Sequence, residues 1–138
     1  MISDVLNAVY TLLDTGKPTG IKRVFDPGQP FGPFRQNLPA IVILPSPESL
    51  ERVYESRDIC EDTLQVEINI LVEDPFTRIE ARERGDASAL VSYTEAVIAL
   101  LEGDRDLGGK VDELLRMSAG ILGPHATIVA EYSNQAAT

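Results

Sequence analysis

The sequence predicts an α+β fold, with a mainly antiparallel or mixed sheet and helices packed on one face. Three observations lead there. Thr63 to Val72 alternates Leu64, Val66, Ile68, Ile70 and Val72 with Gln65, Glu67 and Asn69, the period-two signature of a strand with one buried and one wet face. Leu90, Tyr93, Val97, Leu100 and Leu101, with Ala89 and Ala96, recur at helical spacing. Several strand-like segments follow one another without an intervening helix, which favours antiparallel neighbours.

The first element is a short amphipathic helix. Ser3 suits an N-cap, Asp4 complements the helix dipole, and Val5, Leu6, Val9, Leu12 and Leu13 share a face. Gly16 suits a C-terminal cap and Pro18 cannot continue the helix. Ile21 to Phe25 reads as a short strand. Residues 26–39, DPGQPFGPFRQNLP, hold Pro27, Pro30, Pro33 and Pro39 and two glycines, so neither helix nor central strand persists there. Long loops in small domains are commonly functional. This one carries Phe31, Phe34 and Arg35, residue types that anchor interfaces. Its rings either fold onto the domain's own core or form a partner-binding arm.

Ala40 to Leu44 is a continuous apolar run closed by Pro45 and Pro47, as expected of a strand buried on both faces. Residues 48–62 are acid-rich and read as a solvated connection, with a short edge strand at Leu50 to Tyr54. The long alternating strand from Thr63 follows, with Gln65, Glu67 and Asn69 on its wet face. The second helix ends near Glu102 with Gly103 as its stop; it starts at Asp86 as N-cap or as early as Arg78, Gly85 weakening that first part. After the turn GDRDLGGK, Val111 to Met117 fits strand or helix, with strand preferred. His125 to Tyr132 alternates again and reads as the final strand. One domain is expected over residues 1–132, with 133–138 a flexible C-terminal tail.

Composition narrows function. The 138 residues suit a single domain. Cys60 stands alone, so no disulfide framework forms within one chain and a reducing compartment is expected. No apolar run approaches the ~20 residues of a membrane span, and the N-terminus lacks the basic region of a signal peptide. Twelve basic residues face 22 acidic ones, a net charge of -10. Residues 1–45 hold three acids and four bases; all the excess lies beyond. Such a chain does not grip DNA, RNA or an anionic membrane.

The inventory of chemistry is short. One His and one Cys cannot build a His/Cys metal cluster. No GxGxxG, Walker or Gly-x-Ser-x-Gly pattern occurs. Asp104, Asp106, Gly108 and Gly109 superficially resemble a calcium loop, but the twelfth position is Leu115, where a glutamate is required. Asp58, Glu61 and Asp62 read as a solvated acidic face rather than an acid–base pair, and His125 as a strand-end residue. The expectation is a protein without catalytic residues, cofactor or metal: not an enzyme.

The layout itself carries a resemblance. An N-terminal helix, a Pro-rich loop leading into PAIVILP, the strand LQVEINILVED, the helix ALVSYTEAVIALLEGD, the Asp106-Leu107-Gly108-Gly109 turn and the closing strand ATIVAEY follow in order over residues 1–132. This order resembles the tail terminator, or tail-completion, proteins of long-tailed bacteriophages. The resemblance implies a homo-oligomeric ring, commonly a hexamer, capping the tail tube. Its partners would be further copies of itself, the tail tube protein and the neck or head-completion protein. DNA would pass through without specific binding, with Glu67 facing the channel and Phe31, Phe34 and Arg35 at a subunit or tube interface. No membrane or cofactor would be involved, and the protein would sit in the virion after assembly in the host cytoplasm. Alternatives are another neck or head–tail connector component, or a non-viral interaction or small-ligand-binding module.

Overall fold

The computed structural model describes residues 2–27, 37–72, 87–122 and 125–137. In chain order these form helix α1 (Ile2–Thr15), strand β1 (Arg23–Phe25), β2 (Ala40–Tyr54), β3 (Ile59–Leu71), helix α2 (Ala87–Gly103), a 3-10 turn (Leu107–Gly109), β4 (Glu113–Leu122) and β5 (His125–Ala137). The five strands make one mixed sheet in the order β1-β2-β3-β5-β4. β1 runs parallel to β2, and every other neighbour is antiparallel. The α+β class, the N-terminal helix and the helices on one face are all present.

The sheet positions its side chains by parity. Even-numbered residues of β3 from Cys60 to Ile70 are buried, while Glu61 to Asn69 on the alternate positions are exposed or half-buried. Register carries that parity sideways: Ile43 pairs with Ile68 and Ile68 with Ile128, Ile41 with Ile70 and Ile70 with Ala126, Leu64 with Tyr132. These rows face Val5, Val9 and Leu13 of α1 and Leu90, Val97 and Leu101 of α2, and all belong to one buried cluster. Each such aliphatic side chain contributes about 1.5–3 kcal/mol by leaving water.

A small second cluster of Phe25, Leu38, Ala40, Val42 and Leu71 sits on the other side of the sheet. Its members border residues 26–39, which join β1 to its parallel neighbour β2. No tight hairpin can join parallel neighbours; the chain must travel back along the strand first. The length of this Pro-rich connection therefore follows from topology. Phe31, Phe34 and Arg35 lie outside the described residues.

Four expectations are corrected. Leu50 to Tyr54 is not a separate strand: β2 continues through Pro45 and Pro47, with a register irregularity between Pro45 and Leu50. Prolines are tolerated there because β1 covers only Ala40 to Val42, so their missing N–H groups fall on a free edge and at a bulge. Residues 59–62 are strand rather than solvated connection. Residues 133–137 are not a tail, since Ser133 to Ala137 pair with Thr63 to Ile59. The long β2–β3 hairpin supplies backbone groups that hold a polar segment with no strand signature of its own.

The fourth concerns glycine and capping. α1 starts at Ile2, with Ser3 inside it rather than at its cap. Gly16 directly follows its last residue as expected, its N–H donating to the Leu12 carbonyl at 3.1 Å without a positive φ. A Cβ on Gly16 would lie 2.6 Å from Leu100 Cδ2, so this glycine lets the end of α1 approach α2. Positive φ is instead used at Leu107 (50°), Gly108 (66°) and Gly109 (90°). The D-L-G-G turn thus reverses the chain between α2 and β4 while Leu107 is inserted into the core. Asp104 Oδ1 accepts a hydrogen bond from the Gly108 N–H at 3.0 Å. Segment 78–86, where the alternative helix starts fall, lies outside the described residues.

Candidate functional site

The surface that the fold leaves open is the sheet face turned away from the helices. No described helix covers it. β3 places Gln65, Glu67 and Asn69 there, and β5 places Thr127, Val129 and Glu131 beside them through the pairs Asn69–Thr127, Glu67–Val129 and Gln65–Glu131. All six are half-buried, because each is flanked by strands on both sides.

Polar side chains on this face are tied to one another. Thr127 Oγ1 donates to Asn69 Oδ1 at 3.0 Å, and Asn69 Nδ2 donates to Glu67 Oε1 at 3.2 Å. His125 Nε2 lies 3.0 Å from Thr127 Oγ1. With the threonine proton committed to Asn69, that nitrogen acts as the donor, which assigns the imidazole tautomer by its partner. The chain His125–Thr127–Asn69–Glu67 therefore runs across β5 and β3 and ends on a carboxylate. Nearby, Ser46 Oγ donates to Gln65 Oε1 at 3.2 Å, and Arg116 Nε donates to Glu131 Oε2 at 2.5 Å.

Two open depressions mark this face. One, of about 370 Å³, is lined by Leu50, Glu51, Thr63, Gln65 and Glu131. The other, of about 390 Å³, is lined by Gln65, Arg116, Met117, Ser118, Val129 and Glu131. Neither includes Asp58, Glu61 or His125. Among the described residues, no group of three His, Cys, Asp or Glu side chains is placed to hold a metal ion.

The far end of the β2–β3 hairpin has different chemistry. Asp62, expected on a solvated face, is fully inaccessible and held by Arg52 through two hydrogen bonds, Nε to Oδ1 at 2.6 Å and Nη2 to Oδ2 at 2.9 Å. That fork, opposing the cost of burial, keeps the Asp62 carboxyl below its ordinary range. Glu61 moves the other way: its carboxyl is raised by a hydrogen bond with Glu55, by burial, and by the charges of Glu55, Asp112 and Glu113. Glu61 and Asp62 thus have opposite environments, and neither they nor Asp58 line the two depressions. Cys60 is buried beside the Ala136 carbonyl.

Around this end, apolar side chains stand in solvent. Leu50, Val53, Tyr54 and Ile59 are exposed, Val53 by 55% and Tyr54 by 67%. Leu115 and Ile121 of β4 are exposed likewise. In the sequence, Leu50, Val53 and Tyr54 show no period-two pattern and stand among Glu48, Glu51, Arg52 and Glu55, so this surface has no hydropathy signature. The sequence matches no protein-family model and no curated protein.

Proposed function

We propose that this protein is a structural assembly component that forms a ring capping a bacteriophage tail tube, ending tube growth and presenting the surface for joining tail to head. The observation that carries this reading is the pairing of a largely polar sheet face, covered by no described helix, with exposed apolar residues at the hairpin end. The first suits a lumen through which DNA slides, because Glu67 offers no grip to phosphates and Arg116 is already paired with Glu131. The second suits contact with other subunits, because a small monomer rarely exposes a run of large apolar side chains without a partner. The layout of elements along residues 1–132 supports the same reading. So does the open form of the two depressions, which lack the apolar enclosure usual for a small-ligand site.

In this reading the protein is not an enzyme. Its partners are copies of itself, the tube protein and a neck protein; the Pro/Phe connection contacts a neighbouring subunit or the tube, and no cofactor takes part. The test is native mass spectrometry with negative-stain imaging of the purified protein at high concentration, with and without tube ends. Closed rings of about six copies with a central hole are expected. A basic lumen in the assembled ring, or a particle that never associates with itself or with tube ends, would overturn the reading.

A further inference from the structure

We propose that the subunits join edge to edge, the outer edge of β4 in one copy pairing antiparallel with the Leu50–Tyr54 edge of β2 in the next. The inference rests on the ring reading above and names its contact.

Both edges are open. Among the described residues no strand lies outside β4, and β1 covers β2 only at Ala40 to Val42. Leu50 to Tyr54 are all exposed, as are Ser118 to Ile121. An exposed strand edge presents a row of unpaired N–H and C=O groups and is ordinarily blunted by charge, proline or a bulge. β4 has its bulge near Leu115, but Met117-Ser118-Ala119-Gly120-Ile121-Leu122 carries no charge and no proline. On β2, Pro45 and Pro47 blunt the edge up to the irregularity, and beyond it Leu50 to Tyr54 carries no proline and only the opposite charges of Glu51 and Arg52.

Direction and charge then select a second copy. Neighbours along β2-β3-β5-β4 are all antiparallel, so β2 and β4 run in opposite senses. Two copies placed side by side in the same orientation therefore bring β4 of one antiparallel to β2 of the other, the head-to-tail contact a closed ring requires. Charge permits it: Leu50 to Tyr54 carries one acid, Glu51, and one base, Arg52, and Met117 to Leu122 carries none. These edges are neutral in a chain of net charge -10, so they can meet without the repulsion that opposes most other contacts. Gly120 adds an independent sign. A Cβ there would meet nothing within 4 Å and its φ is not positive, so nothing within the described chain explains a residue that weakens a strand. Close approach of another backbone is a recognised reason for one.

The experiment mixes variants that each add one cysteine to the native Cys60, under mild oxidation: Val53→Cys with each of Ser118→Cys, Ala119→Cys and Gly120→Cys. Wild type, whose Cys60 is buried, is the control. Facing residues of antiparallel strands have Cβ atoms about 4.5–5.5 Å apart, near disulfide reach. The expected result is a covalent dimer of twice the chain mass in the mixture at one or two β4 positions. Neither variant alone should give it, and a chain carrying both cysteines should give a ladder. Imaged rings without any mixed dimer would overturn the edge pairing and leave the ring reading standing. Mixed dimers in open chains would keep the pairing and overturn the ring. A β4 variant that cross-links only to itself would replace the proposal by a symmetric β4–β4 contact, and a protein monomeric throughout would end it.

Discussion

Arg52 and Asp62 face each other across β2 and β3, the guanidinium gripping both carboxylate oxygens at 2.6 and 2.9 Å. Asp62 is inaccessible while the Arg52 side chain is 36% exposed. A charge is therefore carried into the helix-facing side of the hairpin and neutralised there, with the cation still reaching water. Fork geometry makes this a strong pairing, and it fixes the register of the hairpin beyond the bulge.

A pH dependence follows from that pair. Because the folded carboxyl lies below its unfolded range of about 4, Asp62 binds its proton more weakly in the folded state. Its contribution is fully present above about pH 4 and is lost as pH falls through the lowered folded value. Glu61, raised in the fold, opposes it weakly between its unfolded and folded values. Urea midpoints measured from pH 2 to pH 7 are expected to fall below pH 4 in wild type. Asp62→Asn should show a lower midpoint at pH 7 and a flatter profile below pH 4. An unchanged profile would show that Arg52 does not hold the carboxylate in solution.

Tyr132 is the largest fully buried side chain, and its hydroxyl has no hydrogen-bond partner among the described residues. Burial, with the charge of Asp104, pushes its ionisation well above the ordinary range. Leaving a buried hydroxyl unpaired costs on the order of 1–3 kcal/mol. Tyr132→Phe keeps the ring and removes that cost, so unfolding should shift to higher denaturant by about 1 kcal/mol. A loss of stability greater than 1 kcal/mol would mean that the hydroxyl has a partner.

Gly20 has φ of 99°, and a Cβ there would lie 2.5 Å from Tyr93 Oη. Gly20→Ala meets both a left-handed backbone and the edge of α2's tyrosine. The expected cost is about 1–2 kcal/mol. The double variant with Tyr93→Phe should recover only the steric part, a difference that a double-mutant cycle of thermal unfolding resolves.

The Pro/Phe connection gives a prediction about assembly. Topology demands a crossing segment between β1 and β2, but it does not demand Phe31, Phe34 or Arg35. Replacing residues 28–36 by a Gly/Ser segment of the same length should leave the monomer folded by circular dichroism and reduce self-association at least tenfold. Retention of full assembly by this variant would remove the connection from the interface.

Much of this architecture was legible because side-chain period reports local geometry directly. The alternation around Leu64 to Ile70, the apolar run at Ala40 and the helical spacing at Leu90 to Leu101 each specify an element through which face must leave water. The class of fold follows from their order, and the charge balance disfavours polyanion binding without any coordinates.

Other features were decided by tertiary structure. The lengths of β2 and β5 depend on partners: Leu50 to Tyr54 and Ser133 to Ala137 are strands because β3 pairs with both, and polar pairing of that kind leaves little trace in hydropathy. Asp62 is a core residue only because Arg52 comes opposite it after a bulge, which spacing along the chain does not encode. Gly16 ends α1 as its sequence position suggests, but its close approach to Leu100 was not legible, since steric exclusion between helices exists only once they pack. The free edges of β2 and β4 are likewise products of strand order. A chain carries its propensities in sequence, but which backbone groups are left unpaired is settled only when the whole sheet is assembled.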